Sequence, residues 1–231
     1  MKAKTPDSRL RAAAGFVRQG AVLADIGTDH AFLPVFLFHT GRIARAYAAD
    51  INEGPLLCAK RHIAESGFSE HITTVLTDGL TGLENAGITD IAICGMGGEL
   101  IVDILRHAPF VKDTRIRLIL QPMTRAAHLR EYLAREGFAI VGECVTRAQG
   151  KLYFCLAAEY TGVPYTLSRI KAELGQLADA EGRVSEDELL MVDKHIRAAR
   201  RRVEGYRTAA RPDVAEEEYL ETLIRKRSQL L

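Results

Sequence analysis

Short apolar runs alternate with amphipathic stretches along the first 160 residues of the chain. Seven of these runs are bounded by turn residues and predict β-strands, at residues 21–26, 45–50, 72–76, 90–94, 115–121, 138–145 and 152–158. Patterns of helical period predict helices at residues 32–40, 52–66, 98–108 and 126–136. Strand and helix thus alternate through the first five strands, which predicts a parallel sheet with right-handed crossovers.

The last two predicted strands are joined by a short segment that contains Gln149 and Gly150. Such a connection predicts a hairpin, so the final pair should be antiparallel. Five parallel strands followed by a hairpin predict an α/β fold with the Rossmann-like sheet of class I methyltransferases. A dinucleotide dehydrogenase sheet is not expected to end in this way.

After Gly162 the pattern changes to apolar residues spaced three and four apart, which is typical of packed helices. One series is Leu167, Ile170, Leu174 and Leu177, and the next is Leu189, Val192, Ile196, Ala199, Val203 and Tyr206. Gly182 separates them, Ser185 and Glu188 form a potential capping box, and Pro212 is placed to open a third helix. The sequence therefore predicts two domains, an α/β domain at residues 1–162 and an antiparallel helical coiled-coil domain at residues 163–231.

Composition excludes several function classes. No apolar run reaches the roughly 18 residues of a membrane span, and the N-terminus lacks the apolar core of a secretory signal, so we expect a cytoplasmic protein. The four cysteines and seven histidines show no metal-ligand spacing, which predicts free thiols and no metal site. We expect a monomer, although the sequence does not fix the oligomeric state.

Net charge is only +1, but its distribution along the chain is uneven. Residues 21–105 are acidic, whereas residues 1–20 and 106–151 are basic. Basic sequence on both sides of an acidic centre is suited to contact phosphates. Random clustering on a solvated surface is the alternative.

Four loops follow predicted strands and should meet at the carboxyl edge of the sheet, where open α/β sheets bind ligands. They are residues 25–30, 50–52, 77–79 and 94–98. The first loop has a single glycine, Gly27, flanked by Asp25 and Asp29. Two carboxylates would repel a pyrophosphate but attract an ammonium, which favours S-adenosylmethionine over NAD. Helix capping by the two acids is the alternative interpretation.

Each loop suits one part of that cofactor. Either Asp25 or Asp29 suits the ammonium, and Asp50 suits the ribose hydroxyls. Asp78 suits the adenine amino group. The glycines that follow Cys94 leave room for a flat methyl acceptor beside the sulfonium.

Several segments together resemble one family, the bacterial tRNA adenine-N1 methyltransferases that modify nucleotide 22 in the D-arm. They are DIGTDHAFLP, DINEGPL, CGMGGELI, LILQPM and HLREYL followed by GKLYF, beginning at residues 25, 50, 94, 118, 128 and 150, and Ser8-Arg9-Leu10 matches the family's opening segment. The resemblance covers roughly residues 5–160, and the helical tail fits the family's coiled-coil domain. Two departures are Asp50, where many relatives carry glutamate, and residues 123–125, which replace an asparagine-rich stretch.

The resemblance implies methyl transfer from S-adenosylmethionine to N1 of an adenine in tRNA. A nearby carboxylate would stabilise the cationic product, for which Asp29 is the candidate and His30 the second choice. Cofactor binding alone is the alternative for Asp29. We expect the cofactor to be bound by Asp25, Gly27, Thr28, Asp29, His30, Asp50, Ile51, Asn52, Asp78, Gly79, Gly95 and Met96. We expect the RNA to be contacted by Arg9, Gly97, Gly98, Gln121, Arg125, Lys194, Arg197 and Arg201.

Two other functions fit the sequence less well. A methyltransferase with a different acceptor would share the cofactor loops, and the basic flanks and tail argue only weakly against it. A non-catalytic RNA-binding relative would not need the acids and glycines of those loops. The basic stretch at residues 194–207 is open to two interpretations, an RNA contact or an ordinary solvated helix face.

Overall fold

A computed structural model describes residues 6–178 and 182–230. Residues 1–5 lie outside the described residues; they include the start of the predicted basic flank and of the segment that resembles the family. Residue 231, at the end of the predicted third helix, also lies outside them. The strands are β1 Ala21–Ile26, β2 Ile43–Asp50, β3 Ile72–Leu76, β4 Asp90–Gly97, β5 Arg117–Thr124, β6 Phe138–Ala148 and β7 Lys151–Tyr160. The helices are α1 Ser8–Phe16, α2 Phe32–His39, α3 Glu53–Glu65, α4 Gly98–Arg106, α5 Ala126–Arg135, α6 Arg169–Leu174, α7 Glu186–Thr208 and α8 Val214–Gln229.

All seven strands form one mixed sheet in the order β3-β2-β1-β4-β5-β7-β6. The first five pair in parallel, and β7 pairs antiparallel with both β5 and β6. The predicted class I methyltransferase sheet with its terminal hairpin is therefore confirmed. The order reverses between β1 and β4, which places a ligand crevice at the carboxyl ends of these two strands.

Each face of the sheet has its own apolar core. Side chains of α4 and α5, such as Ile101 and Leu133, pack on one face, and those of α1, α2 and α3, such as Leu33 and Ile63, pack on the other. Helix α1 was not predicted, because its buried positions are the small residues Ala13 and Ala14. The Asp7 side chain caps this helix by accepting hydrogen bonds from the amides of its first turn.

Two strands differ from prediction where they approach the crevice. Strand β4 continues beyond Cys94 to Gly97, although the glycine-rich run was expected to be a loop. Strand β5 runs to Thr124 instead of ending at Gln121, because Pro122 and Thr124 pair with Met96 and Gly97 through two register shifts. With these irregular pairings, β4 ends directly before α4, and β5 ends one residue before α5.

The predicted helical tail is confirmed, since helices α7 and α8 pack together. The hairpin is formed by α7 and α8, whereas α6 is a short helix that packs against α5 and α8. The capping box of Ser185 and Glu188 is confirmed, but α8 begins after Pro212, with Asp213 as its cap. The apolar side of the tail shares a core with Val145 and Phe154 of the β6–β7 hairpin.

A buried ion pair also joins the tail to the sheet. Arg130 Nε donates to Glu143 Oε1 at 2.7 Å, and Arg130 Nη1 donates to the carbonyl oxygen of Ala172 at 2.7 Å. Glu143 Oε2 accepts from the amide of Gln176 at 2.9 Å.

The two-domain division at residue 162 stays a prediction. Within the described residues, no helix is both long and apolar enough to cross a membrane.

Candidate cofactor and acceptor site

A cavity of about 520 Å³ opens at the carboxyl ends of β1, β4 and β5. Six of the predicted site residues line it: Arg9, Asp25, Gly27, Asp29, Gly95 and Gln121. Six further lining residues were not predicted to be part of the site: Pro6, Asp7, Leu10, Phe32, Leu33 and Cys94. Three of these, Leu10, Phe32 and Leu33, belong to α1 and α2, whose approach to the cavity is a tertiary feature without a local sequence signal.

Asp25, at the end of β1, is the buried acid of the cavity, with 6% of its surface exposed. Its Oδ2 accepts a 2.6 Å hydrogen bond from the Thr28 hydroxyl. The amide of Thr28 in turn donates to the carbonyl oxygen of Ala49, so this turn is fixed to β2. Burial raises the pKa of Asp25 to about 6; the bond from Thr28 opposes this rise and the nearby charge of Asp50 adds to it. A cationic ligand would remove the energetic penalty of this buried charge.

Gly27 has a left-handed backbone, with φ +71°. A Cβ atom built on it would lie 2.1 Å from Cε of Met96. Met96 therefore packs directly over Gly27, and the absent side chain leaves the space that the methionine methyl group occupies. Both residues belong to the predicted cofactor set, and the structure brings them together.

Asp29 lines the cavity but is more exposed than Asp25, and its neighbour His30 lies outside the lining. The Asp29 side chain is 78% exposed, and its Oδ1 lies 3.3 Å from Nε2 of His30. His30 has φ +60°, an uncommon backbone for a residue with a side chain, and its carbonyl oxygen accepts from Nδ1 of His62 at 2.7 Å. This turn holds Asp29 at the cavity without burying it.

Asp50 ends β2, beside the strand of Asp25, and its Oδ1 accepts from the Asn52 amide at 2.8 Å. Ile51 is 60% exposed and belongs to none of the apolar clusters of the described residues. These three residues, Asp50, Ile51 and Asn52, form an open shelf next to the cavity rather than part of its lining.

Asp78 and Gly79, after β3, line a separate recess with Ile104. The structure therefore does not bring the predicted adenine ligand Asp78 into the main cavity.

The predicted acceptor glycines differ in their surroundings. A Cβ on Gly97 would lie 3.4 Å from Thr124 Oγ1, which is an ordinary contact. A Cβ on Gly98 would lie 2.6 Å from the carbonyl oxygen of Arg125, and Gly98 is buried. Gly98 is thus required for the close approach of the β5–α5 connection, and it does not offer a surface to a base.

Gln121 is buried at the inner wall of the cavity, with 1% of its surface exposed. Its Oε1 accepts from the amide of Gly95 at 3.1 Å, and its Nε2 donates to the carbonyl oxygen of Pro122 at 3.1 Å. Strand pairing places it opposite Cys94. Burial raises the pKa of the Cys94 thiol, so this neighbour is neutral.

Arg9 and Arg125 flank the acceptor side. Arg9 Nη1 lies 3.1 Å from Met123 Sδ, and its guanidinium pairs with Asp7. Arg125 is exposed, has φ +56°, and its Nε lies 3.4 Å from Glu99. Arg9 lines the cavity, whereas Arg125 does not.

The predicted basic residues of the tail, Lys194, Arg197 and Arg201, are exposed on α7, away from the cavity lining. None of the three forms an ion pair with another described residue. Arg202 and Arg207, by contrast, pair with Glu216 and Glu217 of α8. In the described part of the chain, no group of three histidine, cysteine or acidic residues is arranged to hold a metal ion.

Known proteins share both the sequence and the fold. The family model described as "Methyltransferase domain" matches residues 7–156. The tRNA (adenine(22)-N(1))-methyltransferase of Bacillus subtilis is 40% identical over 151 residues, which are 65% of this chain and 63% of that protein. The match thus spans slightly less than two thirds of the curated relative.

Solved structures match over nearly the whole chain. The crystal structure of the B. subtilis M1A22 tRNA methyltransferase TrmK has a TM-score of 0.78 at 31% identity and covers 99% of this chain and 98% of that one. The chain belongs to the TrmK-like tRNA (adenine-22-N1)-methyltransferase family. A candidate tRNA (m1A22) methyltransferase of Streptococcus pneumoniae, solved with S-adenosyl-L-methionine, has a TM-score of 0.81 at 32% identity and covers 95% of this chain and 99% of that one. The resemblance to this family that the sequence motifs indicated is therefore confirmed.

Proposed function

We propose that the protein transfers a methyl group from S-adenosylmethionine to N1 of the adenine at nucleotide 22 of tRNA. Family membership supports the reaction and the substrate. The observation in this chain that carries the proposal is the buried Asp25 carboxylate, which has no cationic partner among the described residues and lies beside a glycine-lined cavity. We also propose a cytoplasmic location, which suits a tRNA substrate, and a monomeric state.

The residues present fit that cofactor. Its ammonium satisfies the charge of Asp25, which is otherwise stabilised by the Thr28 hydroxyl alone. The shelf of Asp50, Ile51 and Asn52 continues outward from β2 and offers a carboxylate to ribose hydroxyls beside an exposed apolar side chain. Gly27 and Gly95 line the stretch between these groups and the inner wall, so the backbone comes close to the bound molecule.

The cofactor supplies a methyl group on a positively charged sulfur. Adenine N1 attacks this methyl with its in-plane lone pair; the N1–C bond forms as the S–C bond breaks, and the bonding electrons return to sulfur. No base is needed to create the nucleophile, so the protein contributes position and exclusion of water. Asp29, exposed at the cavity mouth, is placed to stabilise the positive charge that develops on the adenine.

The acceptor base must leave its stack to enter a cavity of this depth. Arg9, on the cavity wall, and Arg125, beside it, are placed for the flanking phosphates. Lys194, Arg197 and Arg201 extend a cationic surface along α7 that suits the tRNA backbone.

Incubation with unmodified tRNA and the cofactor, followed by digestion and mass analysis of nucleosides, tests the proposal. We expect 1-methyladenosine as the product. Methylation of an exocyclic amine or of guanine would indicate a different acceptor. Tight tRNA binding without cofactor binding would indicate a non-catalytic relative.

A further inference from the structure

Gln121 is the one cavity-lining described residue, apart from Asp25, that has a polar side chain and is buried. The two lie on opposite sides of β4, since β1 and β5 are both its neighbours in the sheet. Adjacent strands are about 4.8 Å apart, so roughly 10 Å separate the ends of β1 and β5 across the cavity. If the cofactor ammonium is held at Asp25, Gln121 lies on the side from which the methyl acceptor must enter.

The carboxamide of Gln121 is held in one orientation. The Gly95 amide can only donate, so the atom facing it must be the oxygen; the Pro122 carbonyl can only accept, so the atom facing it must be the nitrogen. Rotation of the amide by half a turn would set donor against donor and acceptor against acceptor. The orientation is therefore set before any substrate arrives.

This arrangement leaves one donor and one acceptor for a ligand. A carboxamide oxygen accepts two hydrogen bonds, and the amide nitrogen donates two. One of each is used within the strand pair, and the second proton of Nε2 makes a long 3.8 Å hydrogen bond to the sulfur of Met123, a weak acceptor that a base could replace. A base with an adjacent donor and acceptor in one plane would match the remaining pair.

We propose that Gln121 selects adenine by pairing with its N6 and N7 atoms, an inference that rests on the proposed function. Oε1 accepts from the N6 amino group, and Nε2 donates to N7, which is the bidentate geometry that glutamine forms with adenine. This pairing uses the Hoogsteen edge and leaves N1 unencumbered. Guanine carries an oxygen in place of N6, which would face Oε1, and pyrimidines have no N7.

A substrate analogue separates this role from a structural one. In 7-deazaadenosine a C–H group replaces N7, while N1 and the N6 amino group remain. We expect kcat/KM of the unaltered protein to fall about tenfold when the acceptor adenosine of tRNA is replaced by this analogue, as expected for one lost hydrogen bond. Gln121→Met should be slower on ordinary tRNA, and its ratio of kcat/KM for adenosine over the analogue should be about tenfold lower than that of the unaltered protein.

The quantity to compare is the ratio of kcat/KM for adenosine over the analogue, measured in the unaltered protein and in Gln121→Met. Any effect of the analogue on N1 basicity changes both ratios equally and therefore cancels. Affinity for S-adenosylmethionine should be unchanged in Gln121→Met. Gln19→Met provides a matched control, since Gln19 is exposed and bonds only to the Gly41 carbonyl; it should retain the tenfold preference.

The proposal is overturned if the ratio of kcat/KM for adenosine over the analogue is the same in Gln121→Met as in the unaltered protein. Should Gln121→Met fail to fold, Gln121→Leu removes the same donor and acceptor without adding a charge, and its ratio of kcat/KM should fall to the same extent. An unchanged ratio in that variant also overturns the proposal. Failure of the proposed function is distinct, because the unaltered protein would then form no 1-methyladenosine on ordinary tRNA.

Discussion

The hydroxyl of Thr28 donates a 2.6 Å hydrogen bond to the buried carboxylate of Asp25. Only two residues lie between Asp25 and Thr28, so this contact closes the turn that follows β1 and fixes the direction of the carboxylate. No ion pair with another described residue neutralises Asp25, although it is 6% exposed. A buried acid in this state is a binding group for a cation.

Substituting Asp25 by asparagine removes its charge and preserves its shape. The Asn oxygen still accepts from Thr28, so the turn should persist. Loss of one charge-assisted hydrogen bond, worth roughly 1.5–3 kcal/mol, should weaken S-adenosylmethionine binding by about 10- to 150-fold in a calorimetric titration. Glu131→Gln, which removes an exposed charge on α5, is the control and should bind normally. An unchanged affinity in folded Asp25→Asn would remove this acid from the site.

The pH dependence of stability reports on the same group. The folded pKa of Asp25 is raised from 3.8 to about 6 by burial, so the folded protein holds a proton there that the unfolded chain has released. Stability of the ligand-free protein should therefore decline as pH rises between about 4 and 6. Asp25→Asn should raise the free energy of unfolding at pH 8 by on the order of 2–3 kcal/mol, because asparagine carries no charge to bury. At pH 4 the same substitution should change the free energy of unfolding little. Denaturant melts at the two pH values measure this difference; equal gains at both would contradict the assignment.

The same proton also competes with the ligand. Protonation neutralises Asp25 as pH falls through about 6, so affinity for the ammonium of S-adenosylmethionine should fall between pH 7 and 5. Asp25→Asn should bind weakly throughout this range, with no such slope.

Gly97 and Gly98 form a matched pair for testing the acceptor loop. Gly98→Ala places a methyl group against backbone oxygens of Thr124 and Arg125, which cannot move independently of β5, and should destabilise the protein by roughly 1–3 kcal/mol. Gly97→Ala meets only the Thr124 hydroxyl at 3.4 Å and should fold normally. Thermal melts compare the two. Equal stability of both variants would show that the β5–α5 connection yields more easily than the structure indicates.

The basic face of α7 is best tested by point substitution. Deleting the tail would expose Val145 and Phe154, which share its core, and would confuse folding with binding. Replacing Lys194, Arg197 and Arg201 by glutamine should weaken tRNA binding and reduce its salt slope by about 0.9 per lost duplex phosphate contact, with cofactor affinity unchanged. The same substitution at Arg45, Lys60 and Arg61, on β2 and α3, is a control of equal charge. Equal slopes for the two triple variants in filter-binding measurements would make the α7 face an ordinary solvated surface.

The sequence predicted the sheet because strands and helices alternate with clear periods, and the hairpin because two strands lie too close for a crossover. It did not predict α1, whose buried residues are alanines, or the extension of β4 through Gly95 and Gly97, since glycines carry no strand signal. The spacing of apolar residues in the tail predicted its helices correctly, but it did not predict which helices pack against each other. Interhelical contacts depend on tertiary packing, here on the buried Arg130–Glu143 pair that binds α6 to the sheet.

For the site, residues on strand ends were placed correctly because parallel strands bring their carboxyl ends to one edge. Asp25, Gly27, Gly95 and Gln121 meet there as expected. Asp78 does not, since its loop turns toward Ile104 of α4. Contributions from α1 and α2, such as Leu10 and Phe32, depend on how helices pack across the sheet, which a single sequence does not reveal.

Primer extension on methylated tRNA tests the central claim most directly, because a methyl group on N1 blocks the pairing edge of adenine. After incubation with protein and S-adenosylmethionine, the account predicts a single new stop of reverse transcriptase immediately before nucleotide 22. No such stop should appear on tRNA that carries guanosine at that position. A stop at another nucleotide, or methyl incorporation with no stop, would contradict the assignment of N1 of this adenine as the acceptor.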